Sequence, residues 1–487
     1  MTMRHSRLWI DGQWCDALSG RVATSVSPAT GDVFGSYSDG DVSDGRAGVE
    51  AARRAFEQSS WSRNPKMRAA VLLALAQALE SAADTMASDV SMGNGKLLAE
   101  ARHEVAAGAS ELRYYAGLAR NIFGRVTELE PGLMAMLGRE PIGVAAIIVP
   151  WNAPITLLVR SLAPALAAGC TCVVKGAGQT AAATERFFQL LAADKALPRG
   201  VVNLVFESGS ALAEQLVQDP EVDMVSYTGS TPVGKRIMAA AAPTMKRLNL
   251  ELGGNAPVMV MPSADLTAAA NGIARGALSH AGQVCVAASR VIVHRNIAQP
   301  FLQAITQALR ETTVGMPDDG AARMGPLIAQ TSRRRILELQ EQGGADAVHH
   351  LACQVPSGLP AGGAFLTPGL IELRDEQSPL WRDEVFGPLL SFRVCDSEQD
   401  MVRAANRSSF GLAAGVWTGD LQQGQRMARE LRSGTVWINS HMRLFAEIET
   451  GGYKESGLGR LHGIEGLEAF LQTKHVSWRT SDQPAAH

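Results

Sequence analysis

Short runs of β-branched and aliphatic residues alternate along the first half of the chain with longer stretches in which apolar positions recur every three to four residues. The runs at 144–149, 171–175, 201–205 and 224–227 predict buried strands. The stretches at 154–168, 180–193, 211–218 and 229–242 predict helices between them, and 47–56 and 66–89 predict amphipathic helices upstream. Strand and helix in alternation predict a parallel sheet covered on both faces, the layout of a dinucleotide-binding domain. The alternation starts again after Leu250. Strands are predicted at 258–261, 289–293, 389–394 and 434–439, and helices at 267–281, 300–311 and 330–343, so a second α/β domain is expected over 251–440. Between the helices of the first domain, 125–139 carries alternating apolar residues around Glu130-Pro131-Gly132, which predicts a β-hairpin.

A chain of 487 residues is too long for one compact core, so several domains are expected. Hydrophobic residues make up 46% and charged residues 19%, which argues against disorder. The formal net charge of −3 gives no basic excess for nucleic acid or an acidic membrane surface. The N-terminal residues lack the apolar core of a signal peptide, and no run approaches the roughly 20 apolar residues of a membrane helix. A cytoplasmic protein is expected. Its six cysteines, Cys15, Cys170, Cys172, Cys285, Cys353 and Cys395, form no Cys-x-x-Cys pair, and no His cluster offers zinc spacing. Reduced, mostly buried thiols follow.

Four places carry candidate chemistry. Cys285 ends Gly282-Gln283-Val284-Cys285 between a predicted helix and strand, where a thiol can stand in a cleft as a nucleophile or lie buried and inert. Glu251, in Glu251-Leu252-Gly253-Gly254, suits a general base at a domain junction, or a surface carboxylate at a turn. Asn152, in Pro150-Trp151-Asn152-Ala153-Pro154, suits an amide donor to an oxyanion, or an Asx turn opening a helix. Tyr227 to Gly234 runs from strand to helix start, a place for a pyrophosphate.

Together these segments resemble the aldehyde dehydrogenase superfamily over nearly the full chain. The ordered motifs are Pro150-Trp151-Asn152, Val174-Lys175, Thr228-Gly229-Ser230, Glu251-Leu252-Gly253-Gly254, Gly282-Gln283-Val284-Cys285, Glu384-Val385-Phe386-Gly387-Pro388 and Gly451-Gly452-Tyr453-Lys454-Glu455-Ser456-Gly457. The resemblance implies that Cys285 is the nucleophile, Glu251 the base for thioester hydrolysis and Asn152 the oxyanion donor. It implies NAD or NADP as cofactor. Lys175 would lie at the adenosine ribose, Ser230 at the pyrophosphate, Glu384 at the nicotinamide ribose and Phe386 beside the ring. Pro150, Trp151, Gly178, Gly229, Val233 and Leu252 would complete the cofactor site. The family fold implies a dinucleotide-binding domain at 1–124 and 140–250, a catalytic domain at 251–440, bridging elements for oligomerisation at 125–139 and 466–487, and a return segment at 441–465 on the cofactor side. A homodimer or homotetramer is expected. Relatives that pass the acyl group to coenzyme A typically lack the glutamate, so Glu251 favours hydrolysis. A non-catalytic scaffold on the same fold would need none of the three residues.

The chain departs from the family in four places. Family members commonly read Lys-Pro-x-Glu where this chain has Lys175-Gly176-Ala177-Gly178, so the acid that meets the 2′-hydroxyl of NAD is missing and NADP is expected to be accepted alongside NAD. The lysine and acid thought to relay the proton away from the base are Ser161 and Leu461 here, which leaves water or His462 as the route. The usual Pro-Phe-Gly-Gly is Glu449-Thr450-Gly451-Gly452. Arg160 stands near the Asn152 face of the same predicted helix, where neutral-aldehyde enzymes often carry an apolar residue. An arginine there, as in succinate-semialdehyde dehydrogenases, implies a carboxylate-bearing semialdehyde, with Arg443 as a second contact. The alternative is an Arg160 paired within the protein.

Overall fold

In the computed structural model, which describes residues 4–342 and 347–480, the chain builds two large α/β units. The first is built on an eight-stranded sheet in the order Gly457–Leu458, Arg247–Glu251, Met224–Thr228, Val144–Ile148, Thr171–Ala177, Val202–Glu207, Leu8–Ile10 and Gln13–Cys15. Its five inner strands are parallel, and the short strands at both edges are antiparallel. The inner strands are almost wholly buried because helices cover both faces, which is why they read as continuous apolar runs rather than alternations. Strand order reverses beside Val144–Ile148: later strands add on one side until Val202–Glu207, and then on the other from Met224–Thr228. Such a reversal opens a crevice beyond the carboxyl ends of the two diverging strands, the usual ligand site of an open α/β sheet.

The second unit carries a seven-stranded sheet in the order Val348–Leu351, Gly369–Glu372, Leu389–Cys395, Ala288–His294, Ala256–Val260, Ala413–Trp417 and Thr435–Ile438. The chain passes from Glu251, the last residue of a first-sheet strand, through Leu252-Gly253-Gly254-Asn255 into Ala256–Val260. A third sheet stands apart. Arg125–Glu130 and Leu133–Pro141 form the expected hairpin, and Leu471–Arg479 pairs with the second of these along its whole length, from Leu471 opposite Pro141 to Arg479 opposite Leu133. Residues 481–487 of the predicted bridging tail lie outside the described residues.

The expected alternation holds, with instructive differences. The single helix expected at 66–89 is two, Pro65–Ser81 and Ala83–Asn94, set at 76° to each other. Both bury apolar residues, Leu72, Leu75 and Leu79 in one and Met86, Ala87 and Val90 in the other, and the bend brings both sets to one core. The helix expected at 267–281 ends at Leu278, and His280, Ala281 and Gly282 take left-handed backbone with φ of 47°, 54° and 75°. The helix expected at 330–343 runs Gln330–Glu341, with Gly343 outside the described residues. The strands that were not expected include Ala413–Trp417, a buried neighbour of Ala256–Val260 whose Ala-Ala-Gly start lacks the β-branched signature. No single helix among the described residues is long and apolar enough to cross a membrane.

Candidate active site

The crevice at the strand reversal is where the predicted residues gather. Val144–Ile148 leads into Pro150-Trp151-Asn152, and Met224–Thr228 leads into Gly229-Ser230, so both motifs lie at adjacent strand ends. Asn152 is buried at the mouth of the helix Pro154–Ala168, which has Pro at its first turn, where a missing N–H does no harm. Its side-chain amide donates to the Gln283 carbonyl at 2.9 Å, two residues before Cys285. Asn94 donates in turn to the carbonyls of Trp151 and Asn152, at 3.1 and 3.4 Å. Glu104, paired with buried Lys96, accepts from the backbone N–H groups of Ile155 and Thr156 at the start of the same helix. A carboxylate at a helix N-terminus satisfies otherwise orphaned donors. Sequence reasoning missed Asn94 and Glu104, since their role is to hold a loop rather than to do chemistry.

The Gln283 side chain also locks the nucleophile loop. Its Nε2 donates to the His280 carbonyl at 3.0 Å, and its Oε1 accepts from the Ile328 N–H at 2.8 Å. Cys285 follows, half-buried, whereas Cys170, Cys172, Cys353 and Cys395 are buried. Burial pushes the Cys285 thiol up to about 11, Arg160 opposes that shift, and Glu384 and Glu251 add to it. Cys285 packs against a small apolar cluster of Ala256, Val286, Leu412, Ala413 and Trp437, with Met442 beside it. His441 donates from Nε2 to the Val286 carbonyl, 2.9 Å away, so the 439–445 loop is fastened to the residue after Cys285.

Glu251 is 4% exposed, and its Oε1 is buried with no hydrogen-bond partner among the described residues. Burial raises its carboxyl, and Arg160 first, then His462 and Arg460, pull it back down. Its carbonyl accepts from the Gly229 N–H at 3.0 Å, which ties the base strand to the Thr228-Gly229-Ser230 turn. The next glycines are required by close approach. A Cβ on Gly253 would stand 2.4 Å from Glu384 Oε2, and one on Gly254 would stand 2.2 Å from the Cys285 carbonyl oxygen. Glu-Leu-Gly-Gly is therefore where Glu251, Cys285 and Glu384 come together. The buried Leu252 donates its N–H to the Ser456 carbonyl at 2.9 Å, so the segment after Gly451 reaches back onto the same strand end.

Glu384 accepts from the Gly254 N–H at 3.1 Å, and burial pushes its carboxyl up to about 7 against that bond and Arg335. Phe386, at φ 50°, sets its ring edge-on to Trp151 with centroids 5.9 Å apart, and Trp151 also meets His280 at 6.0 Å. Pro150 and Val233 are half-buried, and Ser230 stands exposed at the N-cap position of the helix Thr231–Ala241 without a side-chain capping bond.

Two further regions hold predicted residues. Position 178 is not open. A Cβ on Gly178 would meet the buried Tyr37 hydroxyl at 2.3 Å, and the Glu207 carboxylate acts on both Tyr37 and Lys175. Glu207 ends the strand beside Lys175 and accepts from the Leu212 and Ala213 N–H groups at 3.0 and 2.9 Å. Arg160 and Arg443 have different surroundings. Arg160 is 5% exposed, donates from Nη2 to Thr228 Oγ1 at 3.2 Å, and has an Nε with no hydrogen-bond partner among the described residues. Arg443 is exposed in the wall of an open cavity of about 570 Å³ with Trp437, Phe445 and Glu449.

A half-buried thiol, an amide that donates to its loop and a buried carboxylate lie together where the chain passes from the first sheet to the second, and the chain belongs to the aldehyde dehydrogenase family. The model of that family matches residues 14–476. The enzyme is an NAD(P)-dependent aldehyde dehydrogenase. It is 36% identical over 479 residues to phenylacetaldehyde dehydrogenase of Pseudomonas fluorescens, covering 96% of this chain and 95% of that one. It is 34% identical over 483 residues to betaine aldehyde dehydrogenase of Bacillus subtilis, covering 98% of each. The solved betaine aldehyde dehydrogenase of Staphylococcus aureus in complex with NAD+ superposes with a TM-score of 0.95 at 33% identity, over 99% of this chain and 96% of that one. Another structure of that enzyme holds NAD+ and a cysteine modified by BME.

Proposed function

We propose that the chain oxidises an aldehyde to its carboxylic acid with NAD, through covalent attack by Cys285, charge stabilisation by Asn152 and hydrolysis assisted by Glu251. The observation that carries this reading is the bare, buried oxygen of Glu251 on the strand end that also brings Gly254 against the Cys285 carbonyl. The Cys285 thiolate adds to the aldehyde carbon, and a C–S bond forms. The new oxyanion accepts from Asn152 Nδ2, which turns from the Gln283 carbonyl, and from the Cys285 N–H. The C–H bond then breaks as the oxyanion re-forms a carbonyl, which leaves a thioester on Cys285; a nicotinamide held beside Trp151, Phe386 and Glu384 would supply the hydride acceptor. Glu251 then takes a proton from water as the water oxygen bonds to the thioester carbon, the C–S bond breaks, and the thiolate is regenerated.

The residues present fit a dinucleotide. Gly253 leaves space in which the Glu384 carboxylate stands, ready to accept from a ribose hydroxyl, and Trp151 and Phe386 supply apolar walls. Pro150, Gly229, Ser230, Val233 and Leu252 border the same crevice, and Lys175 lies at the next strand end. Glu207 beside Lys175 opposes a 2′-phosphate, which supports NAD over NADP although position 178 holds no acid.

A second reading concerns the substrate. The unpartnered Nε of Arg160 supports a short semialdehyde whose carboxylate reaches that guanidinium; Arg443, exposed elsewhere, would at most meet it near the entrance. The oligomer we propose is a homodimer or homotetramer joined through the bridging sheet, whose strand Arg125–Glu130 is exposed throughout. The unpaired thiols suit a cytoplasmic setting.

The test is cofactor reduction with a panel of neutral and carboxylate-bearing aldehydes, with and without coenzyme A. Carboxylic acid formed without coenzyme A is expected. Turnover that requires coenzyme A would overturn the hydrolytic assignment. Arg160→Leu losing activity equally on acidic and neutral aldehydes of one length would remove the second reading.

A further inference from the structure

The base has no obvious outlet for the proton it collects. Ser161 is buried and accepts a hydrogen bond from Ser226 Oγ at 3.0 Å, and Leu461 is an apolar, buried side chain. Neither carries a group that ionises near neutral pH.

Beside them lies a pair of side chains that the reaction as described does not use. His462 and Glu111 are both buried, at 4% exposed in each case. His462 Nδ1 lies 2.9 and 2.8 Å from the two carboxylate oxygens of Glu111. That contact assigns the Nδ1–H to Glu111 and leaves Nε2 as the acceptor nitrogen, the arrangement by which a carboxylate orients an imidazole. His462 adopts φ 60° and ψ 176°, a region taken readily only by glycine. The chain accepts an unfavourable backbone at this point and spends a buried carboxylate on the ring it positions.

The location is specific. His462 ends a segment whose Gly457–Leu458 pairs with the Glu251 strand, Glu251 opposite Gly457 and Leu250 opposite Leu458. The Asn249 side chain holds that segment through the Arg460 carbonyl at 2.7 Å, and Gly463, the residue after His462, accepts from the Tyr115 hydroxyl at 3.1 Å. The ionisable groups around the pair come from every element packed there. Glu111 and Tyr115 lie on the helix Leu98–Leu118, Arg160 on Pro154–Ala168, and Glu251 on its strand. Arg460 lies on the segment itself, and Glu449 is bound to the Ile464 N–H at 2.8 Å.

We infer that His462, held by Glu111, is the positioning residue that carries the proton away from Glu251. This rests on Glu251 being the hydrolytic base. The water O–H bond breaks, its proton goes to Glu251, its oxygen bonds to the thioester carbon, and sulfur leaves as the thiolate. The Glu251 proton then passes across an intervening water to His462 Nε2. Glu111 balances the imidazolium until the proton is lost to solvent, which restores both groups for the next turnover.

The experiment compares wild type with His462→Gly, Glu111→Gln and Glu251→Gln. Glycine suits the backbone at 462, so that variant keeps the fold and leaves an imidazole-sized space. Each is assayed for the first-turnover burst of NADH and for the steady-state rate across the neutral pH range. His462→Gly is expected to keep the burst, to lose on the order of tenfold or more in steady state, and to regain rate with added imidazole. Glu111→Gln is expected to move the pH profile of the steady state while the burst stays. If Glu251→Gln stalls after its burst while His462→Gly and Glu111→Gln match wild type in rate and pH profile, the relay is wrong and the base stands. A His462→Gly loss that imidazole does not restore, with an unchanged pH profile, assigns a structural role and also overturns the relay. If Glu251→Gln itself turns over like wild type, the base reading fails and the relay falls with it.

Discussion

Two glutamates act on Cys285 by their charge, and burial raises the carboxyl of both, yet they differ in their direct hydrogen bonds. Glu384 already accepts from the Gly254 N–H, faces Arg335 and is pushed up to about 7. Glu251 keeps Oε1 without a hydrogen-bond partner among the described residues and is offset by charges at a distance, Arg160 first and then His462 and Arg460. A carboxylate whose oxygen is already committed holds what it binds. A carboxylate with a bare oxygen, kept ionisable by cations that do not touch it, can take a proton. The difference between a holding group and a reacting group is therefore set by direct hydrogen bonds, while the extent of burial is shared.

Removing the thiol that both carboxylates serve has the largest effect. Cys285→Ala is expected to abolish oxidation, by several orders of magnitude in kcat, while cofactor binding by fluorescence titration stays near wild type. Turnover close to wild type would end the assignment of the site. Glu251→Gln comes next. A rapid burst of reduced cofactor should be followed by a steady state lowered about 10²- to 10⁴-fold. Loss of the burst as well would place Glu251 in the activation of Cys285.

Glu384→Gln should act on the cofactor instead. In the wild type, Glu384 gains a proton as pH falls through about 7, so the KM for NAD should rise on the acid side. Glu384→Gln should flatten that rise at a modest cost in kcat, and an unchanged profile would break the contrast between the two glutamates. The sign for stability is also set. A carboxyl whose folded value is raised binds more protons folded than unfolded, so stability falls as pH rises from its ordinary value of roughly 4.3 through about 7. Glu384→Gln should therefore raise Tm near pH 8 more than near pH 5, which thermal melts would check. The smallest effect is expected at the far end of the cofactor crevice. Gly178→Ala forces a methyl against the Tyr37 hydroxyl and should cost about 1–3 kcal/mol by denaturant unfolding. No loss would mean that Tyr37 moves freely and that an acid at 178 could be accommodated.

The alternation of buried strands and helices was legible because parallel strands covered on both faces must be continuously apolar. Ala413–Trp417 was not, since its small residues are chosen for close packing rather than strand propensity. A period of apolar positions likewise cannot show that one helix bends into two. In the site, residues that react stand in glycine-marked turns and are conspicuous. Those that hold them, Asn94, Glu104 and Glu111, sit mid-helix or at a helix end with nothing nearby to distinguish them. Arg160 was visible, but its Thr228 partner lies on a strand far away in sequence. The sequence around position 178 could not show that Tyr37, from another strand, stands against the glycine.

The left-handed run ahead of the nucleophile matters for anyone who wishes to make the enzyme hardier. His280 and Ala281 carry side chains in a conformation that suits glycine or asparagine, and they lie just upstream of Gln283 and Cys285. Ala281→Gly would relax the backbone and, by ordinary rules, toughen the folded state. The same relaxation would let the thiol wander from the Asn152 amide, so selection for heat resistance at this loop should trade directly against turnover. Drift here is constrained from both sides, and thermostabilising changes are better sought in the bridging sheet, far from any bond that is made or broken.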